Sequence, residues 1–320
     1  DEFSGTEGVF LDANENPNGN YNRYPDPHQE ELKRVLGKVK SVSPENIFLG
    51  NGSDEVIDLI FRVFANPGID KAIVCPPTYG MYEVSANIND VEIVNIPLLP
   101  NFQLNKEAIF ETIEQDKSGK LIFICSPNNP TGNLIEGIEE VIEKFNGIVV
   151  VDEAYIDFSP QSSKAQAIKR YNNLIVSQTL SKAWGLAGIR VGFAFAQSEI
   201  IALLNKIKPP YNISTLNQQQ ALVRLSQPEE FETERDEILS ERARLEEQLL
   251  LLPIVRKIYP SSANFLLVEV SDANNVYDTL VSKRVIVRNR DTVIKNCIRI
   301  TIGTKEENDT LLTELKKISK

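Results

Sequence analysis

Asn129, Asp152, Lys182 and Arg190 occur in that order, spaced by 23, 30 and 8 residues, and each follows an apolar run. Lys182 lies in TLSKAWGLAGIRVGF, among small and apolar residues. Such surroundings destabilise an ammonium and lower its pKa, which suits an amine that attacks a carbonyl to form an imine. Standing alone, the same lysine also reads as an exposed loop residue. Asp152 follows IVVV, where a charge is costly without a partner. It is either a helix cap or a carboxylate that pairs with a ligand cation. Asn129 lies in SPNNPTG, a rigid turn whose prolines can also hold a polar side chain over a ligand. A fourth segment, GNGSDE at 50–55, opens a helix. Free N–H groups at Gly52, Ser53 and Asp54 would form an anion seat there, or Ser53 or Asp54 is a plain N-cap.

These residues need a scaffold that brings strand ends together. Short apolar runs at 46–49, 72–75, 91–96, 121–125, 148–151, 174–178 and 191–196 read as strands. Amphipathic stretches at 28–40, 53–65, 78–87, 105–116, 136–145 and 198–207 read as helices between them. The alternation predicts an α/β fold with a mostly parallel seven-stranded sheet. In such sheets ligands bind beyond the carboxyl ends of the strands. After about residue 212 the pattern changes to a long charged helix at 229–252, β-like runs at 264–270 and 297–302, and helices at 273–283 and 306–318. We expect a large domain over 22–220 and a smaller α+β domain over 221–320, with 1–21 packing near the smaller one.

Composition narrows the function. The 34 Lys and Arg against 45 Asp and Glu give a formal charge of −11, which repels nucleic acid and anionic lipid. An anionic ligand must then be held by a local positive cluster. No apolar run approaches the ~20 residues that span a bilayer. Cys75, Cys125 and Cys297 are odd in number and widely spaced, which disfavours a disulfide framework or zinc site and fits a reducing, cytoplasmic compartment. His28 is the single histidine and reads as a loop residue, so multi-histidine metal chemistry is excluded. DEFSGTEGVF has no signal-peptide core, and a segment upstream of Asp1 is expected because the sequence starts without Met.

Taken together, NPTG, D-x-x-Y, S-K and an arginine eight residues on resemble the pyridoxal 5'-phosphate (PLP) aminotransferases of fold type I, over nearly the whole chain. LDANENP, NRYPDP, GNGSDE, CPPTYGMY, CSPNNPTG, VDEAYIDF, TLSKAWGLAGIRVGF and IRITIGT are similar to the histidinol-phosphate aminotransferase subfamily. The resemblance implies that Lys182 carries PLP as an imine and moves the substrate α-proton. It implies that Asp152 faces the pyridine nitrogen, that Tyr155 and Asn129 reach the ring 3-oxygen, and that Tyr79 stacks on the ring. Tyr79 is otherwise a buried loop aromatic. Ser181, Thr179, Arg190 and the N–H groups of Gly52, Ser53 and Asp54 would hold the cofactor phosphate. Tyr24 would reach that phosphate from a second copy, so a homodimer is implied. Arg299 would bind the distal acid group of either substrate, or else form a strand-surface salt bridge. Asn14 and Tyr211 align with substrate-pocket positions, and Arg288 is a candidate for the phosphate end. An N-terminal arm with a pocket-closing tyrosine would lie ahead of Asp1. No metal is implied.

The implied reaction exchanges an amino group between L-histidinol phosphate and 2-oxoglutarate, a step of histidine biosynthesis. Alternatives on the same fold are an aromatic or aspartate-type aminotransferase and a phospho-amino-acid decarboxylase. A non-catalytic PLP-binding sensor is a further reading, although no helix-turn-helix or basic segment accompanies it.

Overall fold

The computed structural model describes residues 8, 9 and 11–318. Seven strands form one sheet: β1 (Ile47–Asn51), β2 (Lys71–Val74), β3 (Glu92–Asn95), β4 (Gly119–Cys125), β5 (Ile148–Asp152), β6 (Leu174–Thr179) and β7 (Val191–Phe195). Their order is β1-β7-β6-β5-β4-β2-β3. The run from β3 to β6 is parallel, whereas β7 is antiparallel to both β6 and β1. The start of β7 therefore lies at the same edge as the ends of β1, β5 and β6. That reversal places Arg190, just ahead of β7, beside the residues that follow the parallel strands.

The strands are apolar on both faces because helices cover both. Ile122, Ile124, Val149 and Val151 point into one core, and Leu121, Phe123, Val150 and Ile175 into the other. α2 (Ser53–Phe64), α3 (Met81–Ile88) and α6 (Ser198–Ile207) supply the second core. α1 (Glu30–Lys40), α4 (Lys106–Gln115), α5 (Ile138–Lys144) and α7 (Thr215–Leu225) supply the first. The expected strands and helices are present with ends shifted by a few residues. α7 was not expected, since its TLNQQQ start hides the apolar stripe.

α8 (Pro228–Leu250) spans two cores. Phe231 stacks on Trp184 at 3.9 Å, while Leu245 and Leu249 join a third core. That core lies under a four-stranded sheet ordered β10-β11-β9-β8, made of β8 (Val255–Ile258), β9 (Phe265–Val270), β10 (Arg288–Asn289) and β11 (Cys297–Thr301). α9 (Ala273–Ser282) and α10 (Lys305–Ile318) complete it. Among the described N-terminal residues, Ala13, Asn14 and Glu15 share an open cavity with Tyr211, Ser214 and Leu216. No helix among the described residues is long and apolar enough to cross a membrane.

Candidate active site

The polar ends of five strands and the four-stranded sheet enclose a cavity of about 320 Å³. Its walls include Ser53, Asp54, Tyr79, Asn129, Asp152, Tyr155, Thr179, Ser181, Lys182, Arg190, Arg288 and Arg299. Twelve of the residues singled out from sequence thus meet around one space.

Asp152 ends β5 and is almost fully buried. Its Oδ1 accepts the Ala154 N–H at 3.1 Å, and its Oδ2 accepts the Tyr82 hydroxyl at 2.7 Å. Burial pushes its carboxyl above the usual range, and these two bonds pull it back. A carboxylate in this position favours a cationic ligand group in the cavity.

Lys182 departs from the sequence expectation. It is not embedded, but open to the cavity, with its ammonium 5.7 Å from the Tyr155 ring centre. Its cavity side is open, and protein surrounds it elsewhere. This partial desolvation, followed by repulsion from Arg299, lowers its pKa and favours the neutral, nucleophilic amine. Neighbours lock its loop: Trp184 Nε1 donates to Asp157 at 3.1 Å, and Arg224 Nε donates to the Trp184 carbonyl at 3.1 Å.

An anion seat faces the lysine. α2 begins at Ser53, so its free N–H groups open on the cavity. Arg190 lies over this turn, paired with Asp54 at 3.3 Å. Ser181 and Thr179 place their hydroxyls 2.9 Å apart on the same wall. Two glycines permit this closeness. Gly52 has φ +81°, and a Cβ there would meet Arg190 at 2.5 Å. A Cβ on Gly192 would stand 2.2 Å from the Ser53 nitrogen. An N-terminal turn, an arginine and two hydroxyls together fit a phosphate.

Asn129 donates to the Tyr155 hydroxyl at 3.2 Å and accepts from Arg299 Nη1. Its loop is held by Asn128, whose amide donates to the Pro77 carbonyl at 2.9 Å and to Thr131 at 2.7 Å. Tyr79 closes the adjacent wall, with its hydroxyl on Asp54 at 3.1 Å.

The wall formed by the smaller sheet is cationic. Arg288 and Arg299 are register partners across β10 and β11. Like charges directly opposite are unfavourable in a sheet, so stability alone does not explain them. Arg290, two residues on, lines the same wall and was missed from sequence. The period of two in R-N-R was the available signal. The Nε atoms of Arg290 and Arg299 are buried without a partner in the structure. Such donors suit an anionic ligand group.

Asn14, Tyr24 and Tyr211 are not brought to this cavity. They line a separate, open one of about 440 Å³, where Tyr24 stacks on Tyr211 at 4.3 Å. Asn14 and Tyr211, which the resemblance aligns with substrate-pocket positions, thus line this second cavity and not the main one. The 24–29 turn and the 208–212 loop are tied by Lys208 to carbonyls of Pro27 and Pro210, each at 2.8 Å, which holds both tyrosines there. Cys125 and Ala154 complete the wall of the main cavity. Among the described residues, no group of three or more His, Cys, Asp or Glu could hold a metal ion.

A buried carboxylate, a partly desolvated lysine and a phosphate seat on one α/β sheet edge define a site for carbonyl–amine chemistry on a phosphorylated ligand. The chain belongs to the aminotransferase class I and II family, whose sequence model matches residues 7–315. It is 52% identical over 325 residues to the histidinol-phosphate aminotransferase of Christiangramia forsetii, covering 99% of this chain and 92% of that protein. Among solved structures, the histidinol-phosphate aminotransferase of Clostridium acetobutylicum superposes with TM-score 0.86 at 26% identity, over 93% of this chain and 91% of that one. The L-threonine-O-3-phosphate decarboxylase of Porphyromonas gingivalis superposes with TM-score 0.78 at 21% identity, over 92% and 93%. The latter likeness concerns the fold alone.

Proposed function

We propose that this protein is a PLP-dependent aminotransferase that converts L-histidinol phosphate and 2-oxoglutarate into 3-(imidazol-4-yl)-2-oxopropyl phosphate and L-glutamate, in histidine biosynthesis. The relatives' activity supports it, and the carrying observation is the arginine wall formed by Arg288, Arg290 and Arg299 across the cavity from the anion seat. The seat accounts for one phosphate, and the wall for a second anionic group on the substrate.

When bound, PLP supplies an electron sink for the carbanion that forms at the substrate α-carbon. Lys182 would hold the cofactor through its amine and is the group placed to take and return the α-proton. Asp152 would hold a proton at the pyridine nitrogen. Tyr155 and Asn129 would hydrogen-bond the ring oxygen, and Tyr79 would cover the ring face. The N–H groups of Gly52, Ser53 and Asp54, with Thr179, Ser181 and Arg190, would hold the cofactor phosphate. Arg299 takes the distal carboxylate of glutamate or the phosphate of histidinol phosphate, since a planar guanidinium can pair with either in two-point fashion. Tyr24 serves the site of a second copy in a homodimer, consistent with its exposed position outside this chain's cavity. The imidazole-bearing amine has no α-carboxylate, so proton transfer, not carbon dioxide loss, is its outcome.

Arg299→Ala should raise KM for both glutamate and histidinol phosphate, by roughly 10- to 100-fold, as expected for loss of a charge-assisted bond. Arg290→Ala should raise KM more for histidinol phosphate than for glutamate, because a phosphate dianion engages more of the wall. Steady-state assays in both directions, glutamate formation from histidinol phosphate and 2-oxoglutarate formation from glutamate, test both variants. Carbon dioxide release from a phospho-amino acid, without glutamate formation from histidinol phosphate, would favour the decarboxylase reading. Preference for an aromatic or aspartate donor would favour the other aminotransferase reading.

A further inference from the structure

Tyr82 was not singled out from the sequence and does not line the cavity, yet it bonds directly to a residue that does. It sits in the first turn of α3, fully buried. Its hydroxyl donates to Asp152 Oδ2 at 2.7 Å. Its ring stacks on Phe123 at 4.9 Å and meets the Tyr79 ring edge-on at 5.6 Å. One side chain therefore touches both the carboxylate and the aromatic assigned to the cofactor ring.

We infer that Tyr82 is a positioning residue that orients the Asp152 carboxylate and keeps it ionised, so that it can hold a proton on the cofactor's pyridine nitrogen. The inference rests on the PLP reading above. Its geometric basis is that Asp152 lies in a desolvated space where few groups offer it a proton. The Ala154 N–H occupies Oδ1, so Tyr82 is the side-chain donor on Oδ2. Other ionisable groups facing Asp152 are Asp54 from α2, Tyr79, Cys125 at the end of β4, Tyr155 after β5, and Lys182 after β6. Burial holds the Tyr82 phenol well above its usual pKa, so it stays protonated and acts as donor. Its bond draws the Asp152 pKa down against the burial that raises it. Losing the hydroxyl removes the largest of the influences that lower it, ahead of the Ala154 N–H and Ser177, so the carboxyl should titrate at higher pH.

Tyr82→Phe keeps the ring contacts with Phe123 and Tyr79 and removes one hydroxyl. In PLP-free full-length protein, the protonated-carboxyl infrared band of Asp152, assigned by its loss in Asp152→Asn, should titrate about 1–2 pH units higher in Tyr82→Phe. In PLP-loaded protein, kcat should fall about 10- to 100-fold with KM for glutamate unchanged. In an Asp152→Asn background, Tyr82→Phe should change kcat less than about twofold. An unshifted infrared midpoint would overturn the inference, and so would an equal loss of kcat in both backgrounds. If the wild type failed to take up PLP at Lys182, the cofactor reading would fall, while the infrared comparison would still report the Tyr82–Asp152 bond independently.

Discussion

Lys182→Ala should lower kcat by at least about 10⁴-fold while leaving the fold intact. A positioned acid–base group alone contributes on the order of 10²–10⁴-fold, and this amine also provides the covalent anchor for the cofactor. The structural cost should be small. Lys182 is open to the cavity, so shortening it removes no core packing and relieves repulsion with Arg299. A melting temperature within a few degrees of wild type, with single-turnover glutamate conversion abolished, is the expected pair of results. Turnover near the wild-type rate would remove Lys182 from the chemistry.

Asp152→Asn should lower kcat by about 10³-fold. A unit-charge pair near 4 Å is worth about 4 kcal/mol at an effective dielectric of 20, which corresponds to about a thousandfold in rate. The amide is isosteric and can still accept the Tyr82 hydroxyl, so the fold should survive. Removing a charge that burial penalises offsets part of any loss in stability. Circular dichroism should match wild type while the glutamate half-reaction slows. Loss of folding together with activity would make Asp152 a structural residue only.

The large sheet was legible because its strands are continuous apolar runs, such as IVVV, closed by a polar residue at the site edge. The same punctuation exposed Asp152, Asn129, Lys182 and the turn before α2. Elements lacking such contrast escaped. β8 reads VRKI, with its basic residues exposed on an edge strand, and β10 is two residues long. Arg290 escaped because its role depends on Arg288 and Arg299 pairing across β10 and β11, a register that no local pattern states. Tyr82 escaped because a buried tyrosine in a helix reads as core. Only the approach of α3 to the end of β5 gives its hydroxyl a partner. The sequence placed Lys182 among apolar neighbours and so suggested burial. In the structure those neighbours turn inward, with Ala183 and Trp184 buried, while the lysine faces the cavity.

The most direct measurement is to titrate PLP-free protein with PLP, trap the adduct with borohydride and locate it by peptide mapping. One PLP per chain, attached at Lys182 and lost in Lys182→Ala, is the predicted result. Attachment at another lysine, or no attachment at all, would contradict the assignment of Lys182, Asp152 and Arg190 to a single cofactor site.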